Sequence, residues 1–151
     1  MSSPEGLTLH HVGCVVASIE DSIDRYRLSL GATAASQVFE DPIQRSRVAF
    51  LELPTTGLVL FELVQPASAD SPVARFLEKG GGLHHLCYEV DDLPTHIHWM
   101  KSQGALLIRS PKPAVAFNGR RIAWMRTPDS LLIEYLERGW QSGSQQIGPD
   151  Y

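Results

Sequence analysis

Two histidines occupy matching places in two similar segments of the chain. Residues 9–16 read Leu-His-His-Val-Gly-Cys-Val-Val and residues 83–90 read Leu-His-His-Leu-Cys-Tyr-Glu-Val, so that His11 and His85 lie 74 residues apart. The imidazole of histidine binds metal ions and transfers protons near neutral pH. The repeat therefore predicts two structurally equivalent histidines.

Each half of the chain also contains a glutamate in a second repeated segment. Residues 60–64 read Leu-Phe-Glu-Leu-Val and residues 132–136 read Leu-Ile-Glu-Tyr-Leu, which places Glu62 and Glu134 72 residues apart. Each glutamate follows the histidine of its own half at a similar distance, 51 residues in the first half and 49 in the second. A duplicated scaffold with two-fold pseudo-symmetry would produce this pattern.

Strand periodicity places these carboxylates among apolar side chains. Because side chains alternate between the faces of a strand, Glu62 shares its face with Leu60 and Val64, and Glu134 shares its face with two leucines. Removing an ionised carboxylate from water without a partner costs several kcal/mol or more. A divalent metal ion would supply the compensating charge for both carboxylates.

The same alternation puts His11 and His85 on inward faces and their neighbours His10 and His84 on the opposite faces. Two imidazoles and two carboxylates suit a borderline ion such as zinc, nickel, cobalt or manganese, and the residues alone do not choose among these ions. Taken singly, such a histidine is more often a hydrogen-bonded core residue, and such a glutamate is often exposed. Duplication favours a metal site instead, with the predicted ligands His11, Glu62, His85 and Glu134.

The elements that position these residues also repeat. In each half a first strand is followed by an amphipathic helix, over residues 18–30 and 91–103, and each helix stops at a glycine. Runs bounded by proline and glycine then predict three further strands in each half, at residues 32–39, 45–53 and 58–64 and at residues 105–109, 121–126 and 131–136. The predicted fold class is α+β, with two tandem βαβββ modules at about residues 7–65 and 82–137.

The remaining segments are a connector and a tail. The connector, residues 66–81, contains a short helical piece at 72–79. The tail, residues 138–151, is rich in glycine, glutamine and serine, which predicts a mobile or partner-bound extension. Residues 7–137 are expected to form a single domain.

Bulk composition argues against several classes of function. With 151 residues, 43% hydrophobic and 20% charged, the chain falls in the range of one compact globular unit. The formal charge of −4 and the scattered basic residues predict no nucleic-acid partner, and no run approaches the ~20 apolar residues of a membrane span. Cys14 and Cys87 lie in apolar runs, which predicts packed thiols in a reducing cytoplasm.

The paired modules resemble the vicinal oxygen chelate superfamily, which includes glyoxalase I, methylmalonyl-CoA epimerase, extradiol dioxygenases and bleomycin-resistance proteins. The resemblance covers roughly residues 7–137. It implies that the modules form one cup-shaped, mostly antiparallel eight-stranded sheet with a metal ion between the two halves, and it makes a homodimer a reasonable expectation.

The local similarity is greatest to methylmalonyl-CoA epimerases, through residues 11–13, 61–66, 70–79 and 82–92. That resemblance implies the same four metal ligands that the repeat predicts, and bacterial-type glyoxalase I enzymes share the same ligand types. Some epimerases carry a second catalytic carboxylate on the third strand of the first module. Near that place this chain has Val48, with Glu52 four residues further on.

The implied chemistry moves a proton α to a carbonyl. The preferred interpretation is an epimerase of a 2-acyl thioester such as methylmalonyl-CoA, with Glu134 as the first candidate for the base and Glu62 as the second, since a carboxylate that loosens from the ion can accept the proton. Arg120 and Arg121, which follow an Asn-Gly turn, are the predicted substrate-binding residues.

Two alternatives stay open at this point. A glyoxalase I-type lyase would act by the same chemistry on the hemithioacetal of glutathione and methylglyoxal. A non-catalytic binding or resistance protein would hold a small molecule in the cup. An iron-dependent dioxygenase is disfavoured, because it would use two histidines and one carboxylate, and Glu62 would be surplus.

Overall fold

The computed structural model describes residues 6–54, 57 and 59–139. The strands of this part of the chain are β1 (Thr8–Val15), β2 (Ala34–Ala35), β3 (Phe39–Asp41), β4 (Ser46–Glu52), β5 (Leu60–Pro66), β6 (Gly82–Val90), β7 (Leu106–Pro113), β8 (Arg121–Arg126) and β9 (Leu132–Glu137). The helices are α1 (Ile19–Ser29), α2 (Ala74–Glu78) and α3 (Leu93–Ser102), with a 3-10 turn at Val115–Phe117. The described residues divide into two compact units, a first unit within residues 11–84 and a second unit of residues 6–10 and 85–139.

Helix α1 of the first unit begins and ends where its sequence provides caps. The Ser18 hydroxyl accepts a hydrogen bond from the Asp21 backbone N–H at 3.2 Å, which satisfies one of the free donors of the first turn. Gly31 follows the helix with φ of +68°, a conformation that glycine adopts without steric cost. The buried side of the helix, led by Ile19, packs in a cluster that includes Cys14, Val16, Ala49, Leu51, Phe61 and Leu63.

The strands of the first unit present a second face away from that cluster. Their order is β2-β4-β5-β1, with β3 paired to β4. Strand β1 runs parallel to β5, and the other pairs are antiparallel. Because Cys14 and Leu63 lie in the cluster with α1, strand alternation leaves His11, Phe50 and Glu62 on the other face.

The second unit repeats this arrangement. Its strand order is β6-β9-β8-β7, with β6 parallel to β9 and the other pairs antiparallel. Helix α3 is capped by Asp92, whose carboxylate accepts a hydrogen bond from the Thr95 N–H at 3.0 Å, and Pro94 sits in the first turn. The helix packs in a cluster with Val90, Ala123, Met125, Ile133 and Tyr135. The opposite face therefore carries His85, Cys87, Glu89, Trp124 and Glu134.

The predicted α+β class and the βαβββ order of both modules are confirmed, and two parallel pairs make the strand pairing mixed. The prediction of one continuous strand over 32–39 is wrong, because only Ala34–Ala35 and Phe39–Asp41 are strands. Between them the Ser36 hydroxyl accepts a hydrogen bond from the Phe50 N–H at 2.9 Å. A side chain thus takes the place of a ladder acceptor at this edge.

The prediction that Pro111 and Pro113 break the second strand of the second module is also wrong. Strand β7 continues to Pro113, as the terminal strand of its order and with register shifts after Leu107 and Arg109. Edge strands tolerate proline because one row of their backbone donors needs no partner.

Some predictions fall outside the part of the chain that the structure describes. Leu58, the first residue of a predicted strand, is among them, as is the tail from residue 140 onward. Within the described residues, no helix is long and apolar enough to cross a membrane.

Candidate metal centre

The first unit brings His11 and Glu62 together. Strand register sets Gly13 of β1 directly opposite Glu62 of β5, so His11 lies two residues away on the same face, and the glycine leaves room between them. The His11 Nε2 atom lies 3.6 Å from Glu62 Oε1, and both residues are buried, with 0% and 5% exposure. Phe50, opposite Glu62 on β4, packs its ring edge-on against His11 at 5.4 Å.

The second unit brings His85 and Glu134 together in the same way. Cys87 of β6 lies opposite Glu134 of β9, and the His85 Nε2 atom is 3.9 Å from Glu134 Oε1. Both residues are buried, with 4% and 3% exposure. Trp124, opposite Glu134 on β8, packs edge-on against His85 at 4.7 Å. Each module thus builds one buried histidine–glutamate pair backed by an aromatic ring.

The geometry of each pair fits the donors of a metal ion. Separations of 3.6 and 3.9 Å are longer than ordinary hydrogen bonds. Two donor atoms that each lie about 2.1 Å from a tetrahedral ion are about 3.4 Å apart, which is close to both values. His11, His85 and Glu134 are buried residues of the kind that could hold a metal ion. Glu62 belongs to the same donor type and is as deeply buried.

The neighbouring histidines have other surroundings. His10 is fully buried, and its ring packs edge-on against Phe117 at 5.4 Å. His84 is half-buried, and its ring packs against Phe76 at 4.8 Å. Both rings make packing contacts, and His10 is in addition one of the buried residues that could hold a metal ion.

Strand β4, which corresponds to the predicted third strand of the first module, is where some epimerases carry a second catalytic carboxylate. Val48 is buried on the face that also carries Phe50 and Glu62. Glu52 is exposed at the end of β4. The face of the first unit that carries Glu62 therefore has an apolar side chain at position 48.

The two predicted substrate-binding arginines differ in burial. Arg121 has a side chain that is 43% exposed and pairs with Glu137 at 2.9 Å, and hydrogen bonding from Arg121 lowers the pKa of the Glu137 carboxyl. The Arg120 side chain is only 11% exposed and pairs at 3.0 Å with Glu89, which is 4% exposed.

Sequence reasoning missed Glu89 as a functional candidate. Strand parity would have found it, because Glu89 shares the inward face of β6 with His85 and Cys87. Phe117, which lies in the loop between β7 and β8, had no such periodic signal.

Comparison with known protein families shows which family this chain belongs to. A sequence model of the Glyoxalase/Bleomycin resistance protein/Dioxygenase superfamily matches residues 10–124. The chain belongs to this superfamily. The resemblance predicted from the repeated motifs is thereby confirmed.

Individual relatives of this superfamily member include several epimerases. The chain is 34% identical over 130 residues to an ethylmalonyl-CoA/methylmalonyl-CoA epimerase of Cereibacter sphaeroides, covering 83% of this chain and 94% of the relative. A crystal structure of methylmalonyl-CoA epimerase from Mycobacterium tuberculosis is 30% identical, with a TM-score of 0.75 and 87% of each chain covered. A hypothetical protein from Bacillus halodurans is 31% identical, with a TM-score of 0.78 over 93% of this chain and 100% of that one.

Proposed function

We propose that this chain is a divalent-metal-dependent epimerase of a methylmalonyl-CoA-like 2-acyl thioester. The observation that carries the proposal is the duplicated, buried histidine–glutamate pair, one in each module. The relatives named as epimerases of acyl-CoA thioesters support the choice of substrate class, since one of them matches 83% of the chain.

The residues proposed to hold the ion are His11, Glu62, His85 and Glu134. Their carboxylates are buried, so a bound cation would offset the cost of removing them from water, and neutral imidazoles and ionised carboxylates are the forms that bind cobalt, nickel, zinc or manganese. When bound, such an ion would stabilise the negative charge that develops on a substrate carbonyl oxygen as the α-proton leaves.

The chain itself must then accept and return that proton. Glu134 is the proposed base and Glu62 the second candidate, because each is a carboxylate on an apolar, water-poor face, where it can accept a proton from a nearby carbon acid without exchange with solvent. Trp124 and Phe50 restrict the rotation of the paired imidazoles, which keeps each carboxylate aligned. Inversion of the centre requires a proton to return to the opposite face of the planar carbon, either from the second of the two carboxylates or from the same carboxylate after the planar carbon has turned over.

Arg120 and Arg121 are the proposed substrate-binding residues. Arginine forms paired hydrogen bonds with carboxylate and phosphate groups, both of which an acyl-CoA carries. Arg121 is the more exposed of the two and its pairing with Glu137 is partly solvated, so it can exchange this partner for a substrate anion at low cost.

The test is deuterium uptake from heavy water into methylmalonyl-CoA. Metal-free protein, prepared with a chelator, is reloaded with each of the four ions, and wild type is compared with Glu134→Gln and Glu62→Gln. We expect metal-dependent exchange that falls by at least about 100-fold in the variant that lacks the base. Glu78→Gln, an exposed glutamate of α2, serves as the matched control and should exchange like wild type.

The same preparations are assayed with glutathione and methylglyoxal. Lactoylglutathione formation without exchange into the acyl-CoA would replace the epimerase proposal with a glyoxalase I-type lyase. Absence of bound metal by plasma mass spectrometry, together with inactivity on both substrates, would favour a non-catalytic binding protein.

Further proposals concern the cellular compartment and the assembly of the protein. Both cysteines are free thiols buried inside their units, which supports a reducing compartment such as the cytoplasm. A homodimer stays a prediction from the superfamily resemblance, and residues 7–137 are proposed to act as a single domain.

A further inference from the structure

The largely buried side chain of Arg120 joins three segments of the second unit. The Arg120 guanidinium donates a hydrogen bond to Glu89 on β6 at 3.0 Å and to the backbone carbonyl of Glu137 at the end of β9 at 3.4 Å. Its Cζ lies 5.7 Å from the centre of the Phe117 ring. Its stem passes close to Gly139, where an added Cβ would come within 3.3 Å of Arg120 Cδ.

Such an ion pair needs an explanation beyond stability. Desolvating both charges is costly, and apolar residues of similar size would often stabilise a protein as well or better. The Glu89 side chain is 5% exposed and that of Arg120 is 11% exposed, so most of that cost applies. The geometric specificity of a paired arginine is what an apolar contact would lack.

The arginine also closes the loop between β7 and β8. The Ala114 N–H donates to the Arg120 carbonyl, and the Arg120 N–H donates to the Phe117 carbonyl, both at 3.1 Å. Asn118 and Gly119 take positive φ angles of 55° and 83°, which lets the chain reverse tightly. Phe117, 2% exposed, is thereby held with one side against Arg120 and its ring edge-on to His10.

This series of contacts ends beside a proposed metal ligand. His10 is fully buried, and it directly precedes His11 on β1. Displacement of the β1 backbone at His10 would therefore also displace the backbone from which the His11 imidazole projects. Rings that pack edge to face allow little such movement in a close-packed interior.

We propose that Arg120 is a positioning residue. Through its contacts with Glu89 and Phe117, and through the contact of Phe117 with His10, it holds strand β1 in place at His11 and so raises the affinity of His11 for a metal ion. This inference rests on the proposed function in naming His11 a ligand. The role is additional to the proposed contact of Arg120 with substrate.

Two readouts test the proposal on the full chain. Hydrogen–deuterium exchange of metal-free protein measures the protection of the β1 amides, and titration with Co²⁺, followed by its visible absorption, measures metal affinity. Arg120→Met keeps the stem and removes the charge. We expect about tenfold faster exchange in β1 than in wild type, with smaller changes in β8 and β9, and about tenfold weaker Co²⁺ binding with an altered spectrum.

Further variants keep the test decisive. If Arg120→Met does not fold, Glu89→Gln and Phe117→Leu should give the same pattern, because each removes one link of the series. Arg47→Met is the matched control, since Arg47 of the first unit also bridges several side chains, Glu20, Glu40 and Gln65. It should leave both readouts at His11 unchanged.

The outcomes separate this proposal from the proposed function. Faster exchange in β1 with no Co²⁺ binding by wild type would support the positioning of β1 and reject the metal site. Exchange that rises equally in β1, β6, β8 and β9 would overturn the positioning role and leave Arg120 a stabilising residue. Unchanged exchange with weaker metal binding would overturn it as well.

Discussion

His96 on α3 should make the stability of the protein fall in mild acid. The residue is 3% exposed, and neither ring nitrogen has a hydrogen-bond partner among the residues that the structure describes. Its ring lies 4.3 Å from that of Tyr135, whose pKa is raised to about 12, mainly by burial. Burial lowers the pKa of His96, because charging the ring here would forfeit its hydration without any compensating contact.

The sign and size of the effect follow from proton binding. A histidine in the unfolded chain has a pKa of about 6.5, whereas the folded ring stays neutral to lower pH. Stability from this residue is therefore fully present above the unfolded pKa and is lost as the pH falls below it. Between pH 7.5 and 5.5 the loss reaches at most about 1.4 kcal/mol, the value for a ring that remains neutral in the folded state throughout.

Urea denaturation of metal-free protein at both pH values measures this loss. His96→Phe should lose less stability than wild type between pH 7.5 and 5.5, by up to about 1.4 kcal/mol, because the other titrating groups cancel in the comparison. The same substitution at exposed His98 on α3 is the control and should leave the wild-type difference intact. Equal pH dependence in wild type and His96→Phe would refute the reasoning.

Three further predictions concern the glycine before β6, the edge of the first unit and the metal ligands. In thermal denaturation, Gly81→Ala should destabilise the protein by about 1–3 kcal/mol more than Gly31→Ala. Both glycines have φ of +68°, but only the new Cβ at Gly81 would lie 2.7 Å from the Val15 carbonyl oxygen. Equal losses would show that the backbone relaxes. Ser36→Ala should cost about 1–3 kcal/mol by removing the acceptor of the buried Phe50 N–H, whereas exposed Ser29→Ala should cost far less. Glu62→Gln should weaken Co²⁺ binding in calorimetry by at least about tenfold, and affinity retained at the wild-type level would remove Glu62 from the ligand set.

Period-two alternation explains why the pairing of each histidine with a glutamate was predictable. In β1 and β5 the apolar residues that pack against α1 identify one face of each strand. The alternate residues, which include His11 and Glu62, could therefore be assigned to the other face without coordinates. The helix caps at Ser18 and Asp92 could also be located from the sequence, because a capping side chain contacts the backbone of the first turn of its own helix.

Features that depend on distant neighbours were not predictable in this way. Pro111 and Pro113 break a central strand, but β7 is the end of its strand order, and the sequence of β7 does not contain that information. Ser36 interrupts a strand because its hydroxyl meets Phe50 from another strand. Arg120 was expected to face substrate, and its pairing with Glu89 depends on how the loop after the 3-10 turn folds back.

Comparison of the modules offers a signal that could have found Glu89. Applying the 74-residue offset of the histidines places Val15 at the position equivalent to Glu89, and Val15 is 1% exposed. At this inward-facing position one module has an apolar residue and the other has a carboxylate. The two modules therefore diverged here after the duplication. The buried histidine–glutamate pair is present in both modules, whereas the ion pair of Glu89 with Arg120 is specific to the second. Residues that match between the modules therefore indicate the function that the two modules have in common. An inward-facing charge that is present in only one module, such as Glu89, indicates a function specific to that module.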